Sequence, residues 1–152
     1  MATEQRRGVF WAGVEGRVPV PQAAQTLGFR LLGADPEQGT IEVEFDGKAA
    51  FTNPYGEVLG GFLAAMLYDT AGPALLCTLG DGEFIETDDL QVRFLTPARQ
   101  GAIVGRGRVL ERDGDRATLE ASLFDSGGTV VATATAAARV VPLSRQGQAS
   151  PP

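Results

Sequence analysis

Gly60-Gly61-Phe62-Leu63-Ala64-Ala65-Met66-Leu67-Tyr68-Asp69-Thr70-Ala71-Gly72-Pro73-Ala74-Leu75-Leu76-Cys77-Thr78-Leu79 is the one long apolar stretch of this chain. It outruns a buried strand and is rich in Ala, Leu and Met, so it is expected to be helical. Apolar residues stand nearly all round it, which calls for a helix wrapped by sheet. Gly72-Pro73 is expected to kink the helix or end its regular part, since proline has no N–H to bond back with.

The flanking sequence reads as strands. Before the helix, residues 29–32 and 40–45 bracket the turn Asp35-Pro36-Glu37-Gln38-Gly39. Ile41, Val43 and Phe45 alternate with Glu42, Glu44 and Asp46, the pattern of a sheet with one wet face. After the helix, four strands are expected over 85–95, 102–110, 117–124 and 129–141. The last is Ala-rich, yet Val130, Val131, Thr133, Thr135, Val140 and Val141 favour a strand. A short helix over 22–26 should open at Pro21 and stop at Gly28. The class is α+β: an antiparallel sheet of five to six strands curled round one long helix. Residues 1–20 read as an extended N-terminal arm, with Trp11 covering an apolar patch on this chain or on a partner. Residues 21–143 form the domain, and 144–152 a polar, disordered tail.

Composition excludes much chemistry. The 152 residues contain no histidine, which removes Ser-His-Asp triads, Cys-His pairs, HExxH zinc sites and any histidine base. The single cysteine, Cys77, permits no internal disulfide or CxxC motif and reads as an inert core thiol. A net charge of −6 with no long basic run argues against nucleic acid. No signal-like segment and no run of about 18 apolar residues occur, so a cytoplasmic protein that does not span a membrane is expected.

What remains for chemistry are carboxylates, hydroxyls, amides and backbone groups. Gly60 and Gly61 at a helix start leave free N–H groups at the positive end of the helix dipole, able to hold an anion or a carbonyl oxygen that becomes one. A plain chain-geometry role for the two glycines is the alternative. Asp69, an acid in an oily helix, reads either as a base or nucleophile with a raised pKa or as a group pointing to solvent or a strand. In the strand over 85–95, simple alternation puts Thr87 and Asp89 on the face of Arg93, so a salt link from Asp89 and a structural Thr87 are the plain readings.

The set Asn53…Gly56…Gly60-Gly61…Asp69, then Thr87-Asp88-Asp89-Leu90…Phe94-Leu95-Thr96-Pro97-Ala98, and the turn Asp125-Ser126-Gly127-Gly128, resembles the phenylacetate-degradation (PaaI-like) type of hotdog-fold acyl-CoA thioesterase. The resemblance covers residues 23–141. It implies a hotdog fold assembled as dimers or dimers of dimers, with sites between subunits that hydrolyse acyl-CoA without a metal. CoA is then part of the substrate and no separate cofactor is used. Carried over by position, the oxyanion-hole glycine falls on Gly60 beside Gly61, the loop asparagine on Asn53 and the strand hydroxyl on Thr87. Two positions depart from the pattern. Leu59 stands where the family often has histidine, and the helix acid, eight residues after Gly60, falls on Tyr68, with Asp69 one later. Neighbouring helix residues point about 100° apart, so only a local bulge would bring Asp69 to the place of Tyr68. The implied activity is thioester hydrolysis with Asp69 as the acid; a non-hydrolytic acyl-CoA or aromatic-ligand binder is the alternative that Tyr68 favours. Arg93, Arg112 and Arg116 are the candidates for CoA phosphates, with Arg106 and Arg108 nearby, and surface salt bridging is the competing role for each.

Overall fold

The computed structural model describes residues 5–143. The elements run α1 (Val9–Val14), α2 (Gln22–Leu27), β1 (Arg30–Asp35), β2 (Thr40–Gly47), a 3-10 turn (Ala49–Phe51), α3 (Gly60–Leu76), β3 (Glu83–Phe94), β4 (Gly101–Asp113), β5 (Arg116–Phe124) and β6 (Val130–Pro142). The six strands form one antiparallel sheet in the order β1-β2-β4-β5-β6-β3. The two strands that flank α3 in sequence, β2 and β3, are thus separated in the sheet by three others, and the sheet curls round the helix between them.

Period-two burial drives the curl. Ile41, Val43 and Phe45 of β2, Leu119, Ala121 and Leu123 of β5, and Ala132, Ala134, Ala136 and Ala138 of β6 all face inward onto Leu63, Met66, Leu67, Ala71, Ala74 and Leu75 of α3. On β4, glycines let the helix come close to the sheet. A Cβ on Gly107 would sit 2.7 Å from the carbonyl oxygen of Thr70, and one on Gly105 would strike the Thr70 side chain. Thr70 itself is fully buried and donates its hydroxyl proton to the Met66 carbonyl at 2.7 Å, one turn back.

Three local expectations change. The stretch read as an extended arm contains α1, whose Trp11 is buried on its own chain and donates its indole N–H to the Cys77 carbonyl at 2.9 Å. Proline does not end α3: the helix continues through Pro73 to Leu76, and the N–H of Cys77 still bonds the Pro73 carbonyl at 2.9 Å. Burial of the whole turn among core residues outweighs the lost hydrogen bond. Strand β3 does not alternate simply, because a bulge lies between Thr87 and Asp89. The tail over 144–152 lies outside the described residues. Cys77 is a buried core thiol as expected; its Sγ–H donates to the Ala74 carbonyl and burial pushes its pKa up to about 11.

Candidate active site

The loop of residues 52–59 is fixed before it reaches the helix. Asn53 Oδ1 accepts from the backbone N–H of Tyr55 (2.9 Å) and of Glu57 (3.0 Å), so two donors dictate which end of the amide is oxygen. Main-chain bonds from Val58 to Ala98 and from Leu59 to Phe51 pin the loop between β3–β4 and the 3-10 turn. Asn53 thus shapes its own loop, and its Nδ2 has no partner among the described residues.

Leu59 caps α3 without any side-chain bond, and the amides of Gly60 and Gly61 have no acceptor among the described residues. The two glycines differ in why they are glycines. A Cβ on Gly60 would lie 2.9 Å from the ring of Phe94, whereas one on Gly61 would meet nothing within 4 Å. Helical glycine costs about 1 kcal/mol against alanine, so Gly61 has no reason within this chain for lacking a side chain. Phe94, 59% exposed at the end of β3, walls the amides on one side. Strand alternation alone gives no sign of that contact, which joins residues 34 apart.

Further along, α3 is regular and carries no bulge, so Asp69 does not take the place of Tyr68 and stands about 100° round the helix from it. Tyr68 lies seven residues from Gly61, on the same outward face, and is 51% exposed. Asp69 lies seven residues from Phe62, on the flank where the Phe62 ring stacks on Phe51 (centroids 4.1 Å apart). One Asp69 carboxylate oxygen, Oδ2, is buried with no hydrogen-bond partner, and desolvation pushes its pKa from 3.8 up to about 6. A buried polar atom left unmatched is rare in a finished structure.

Thr87 lies on β3 between Ile85, which approaches Gly72 of α3, and Phe94, which approaches Gly60. The bulge moves Thr87 off the face of Asp89 and Arg93: Thr87 pairs with Ala138, and both Ala138 and the Leu90 partner, Ala136, are core residues. The expected salt link changes as well. Asp88, not Asp89, binds Arg139, in a two-pronged contact of 2.8 and 3.0 Å, and this pair holds the Asp88 carboxyl below the usual range. Asp89 accepts from Gln91 instead.

Of the arginines, Arg106 pairs with Glu42 and Arg108 with Glu120 on the outer face of the sheet, the salt-bridge role. Arg112 donates to the Gly114 carbonyl in the β4–β5 turn, and Arg116 stands opposite Arg139, so that hairpin belongs to the Thr87 end of the sheet. Arg93 is exposed on β3. Arg99, unremarked by sequence reasoning, is exposed beside Gly56 in the loop that leads to the free amides.

The candidate residues therefore fall into two groups: Asn53, Gly60, Gly61 and Phe94 at the start of α3, and Tyr68 and Asp69 further along it with Thr87 on the helix side of β3. Gly60 and Asp69 are separated by nine helical residues, about 13 Å. Free amides at the start of a sheet-wrapped helix, a carboxylate further along it and a strand hydroxyl facing it define a hotdog protein equipped for acyl chemistry. The chain belongs to the thioesterase superfamily, whose family model matches residues 55–132. A crystal structure from Ralstonia eutropha JMP134, provisionally described as a thioesterase and phenylacetic acid degradation-related protein, is 38% identical. It superposes with a TM-score of 0.83 over 86% of this chain and 98% of that one. A Saccharolobus solfataricus protein provisionally described as an esterase is 31% identical over 98 residues, 64% of this chain and 69% of its own. A Bacillus halodurans protein solved with CoA shares the fold at 22% identity, with a TM-score of 0.70 over 86% of this chain and 82% of that one.

Proposed function

We propose that this protein hydrolyses acyl-CoA thioesters in the cytoplasm, in a site completed by a second copy of the chain. The observation that carries the reading is that, among the described residues, the amides of Gly60 and Gly61 have no acceptor and nothing occupies the space beside Gly61. The CoA bound to the Bacillus halodurans relative supports the substrate class. The thioester carbonyl accepts from the two amides, and water adds to its carbon while Asp69 takes the proton. The oxyanion collapses, the carbon–sulfur bond breaks, and the CoA thiolate leaves with the acid as the other product. Asn53 Nδ2 and the Thr87 hydroxyl position the thioester and the water.

The 13 Å between Gly60 and Asp69 supports a shared site, with Gly60 and Asn53 of one subunit facing Asp69 and Thr87 of the other. Twelve-residue β3 offers an unpaired sheet edge, and Leu59, Tyr68, Phe94 and Leu95 are exposed near it. Such an edge with apolar neighbours fits a second copy, as a dimer or a dimer of dimers. Arg93, Arg112 and Arg116 are the proposed contacts for CoA phosphates.

Incubation with a panel of acyl-CoAs and a thiol reagent tests the reading. Thiol release that disappears in Asp69→Ala supports it. Tight acyl-CoA binding without release supports a non-hydrolytic binder instead. Light scattering tests the assembly, and an active monomer overturns the shared site.

A further inference from the structure

The bulge in β3 decides where Thr87 points. With strict alternation, residues 85, 87, 89 and 91 would share one face. The register instead steps from Thr87 opposite Ala138 to Asp89 opposite Ala137, which leaves Asp88 as the extra residue. Ile85 and Thr87 thereby join Leu90 and Val92 on the helix side, and Glu86, Asp88 and Asp89 lie on the other. Within one chain β6 alone pairs with β3, so the register on that side is what fixes where the bulge lies. Here it is held. Arg139, fixed opposite Glu86 by the ladder, donates Nε to Asp88 Oδ2 at 2.8 Å and Nη2 to Asp88 Oδ1 at 3.0 Å. The same Nη2 donates to Glu86 Oε2 at 2.8 Å. Two carboxylates two residues apart repel each other, and the guanidinium between them offsets that repulsion while fixing both directions.

We propose that Asp88 and Arg139 are positioning residues for the Thr87 hydroxyl: their paired contact locks the bulge at residue 88 and so holds Thr87 on the helix side. Nothing in the sequence resemblance assigns a role to either residue, and neither touches the reacting atoms. The inference rests on the thioesterase reading for its catalytic consequence, but the geometric part stands by itself. Sliding the bulge by one residue toward the strand start would turn Thr87 outward, as single-residue slips do in any strand.

The test uses the full chain and the variants Asp88→Ala, Arg139→Lys, Thr87→Ala and Asp88→Ala with Thr87→Ala. Asp88→Ala should lower kcat about tenfold or more, with KM within about twofold, because the lost quantity is placement of one hydroxyl. Arg139→Lys, which keeps the charge but loses the fork, should lower kcat as well, and Asp88→Glu should restore part of it. The double variant should be no slower than Thr87→Ala alone, since both changes remove the same contribution. The midpoint of the pH profile should not move. Methyl NMR of Thr87 gives a readout independent of turnover: contacts to α3 protons in the wild type should weaken or split in Asp88→Ala. Unchanged kcat in Asp88→Ala, multiplicative losses in the double variant, or unchanged Thr87 methyl contacts each overturn the proposal. If the wild type releases no thiol yet the methyl contacts change as expected, the positioning device stands and the thioesterase reading fails.

Discussion

The two ends of the α3 working surface leave polar groups unmet in opposite ways. At Gly60 and Gly61 the amides are unaccepted but open, and water can reach them at no cost in the free chain. Two turns on, Asp69 keeps one carboxylate oxygen buried and unpartnered, which is a cost borne in the folded state and visible as a pKa near 6. An open donor waits for a ligand; a buried acceptor strains the fold until something meets it. The first end offers donors without acceptors and the second an acceptor without a donor. That complementarity, about 13 Å apart on one helix, is what the proposed shared site rests on.

Asp69→Asn breaks the comparison most severely. Thiol release should fall by about a hundredfold or more, the range for loss of a general base. The same change should stabilise the fold. A carboxyl whose folded pKa is raised above its unfolded value has no effect at pH well below 3.8 and destabilises increasingly as pH rises through about 6. Relief above pH 7 is therefore at most about 3 kcal/mol, and none is expected near pH 3. Denaturant unfolding at the two pH values checks this, and equal gains at both would show that charge is not the cause. In the wild type, kcat should fall as pH drops below about 6, because the base must be ionised to accept a proton.

Gly61→Ala probes the open end. Outside its own helix turn, the new methyl meets nothing within 4 Å among the described residues, and helix propensity favours alanine by up to about 1 kcal/mol. Tm should hold or rise while kcat/KM drops about tenfold, since the methyl enters the space proposed for the thioester. A parallel fall in Tm and activity would make the glycine a plain structural one.

Tyr68→Asp sharpens the contrast by moving a carboxylate onto the face of Gly61. With α3 regular at this point, the outward position is the one Tyr68 holds, and an added carboxylate there is ionised at pH 7. A severalfold rise in kcat is expected in single-turnover assays. An unchanged or lower value means that the water lies on the flank of Asp69 alone. The smallest effect belongs to the exposed arginines: Arg93→Ala should raise KM for acyl-CoA only about two- to threefold, and more at low salt than at high.

Much of this was legible from residue order. The length and Ala-Leu-Met content of the 60–79 segment specify a buried helix, and the alternation of Ile41, Val43 and Phe45 specifies a strand with one inward face. The absence of histidine confines the chemistry to carboxylates, hydroxyls and amides, whereas Asn53 and Thr87 enter the candidate site only through the resemblance to PaaI-like thioesterases. Local pattern suffices for the helix and the strand because they depend on neighbours a few residues away. Tertiary structure alone decided the rest. The bulge at Asp88, whose carboxylate binds Arg139 51 residues later, reverses the face of Thr87 that alternation assigns. Pro73 stays helical because the core round it is worth more than one hydrogen bond, and Trp11 turns inward onto the Cys77 carbonyl 66 residues away. The orphaned oxygen of Asp69 likewise depends on which side of α3 the folded sheet leaves dry, a question of burial that one-dimensional periodicity does not contain.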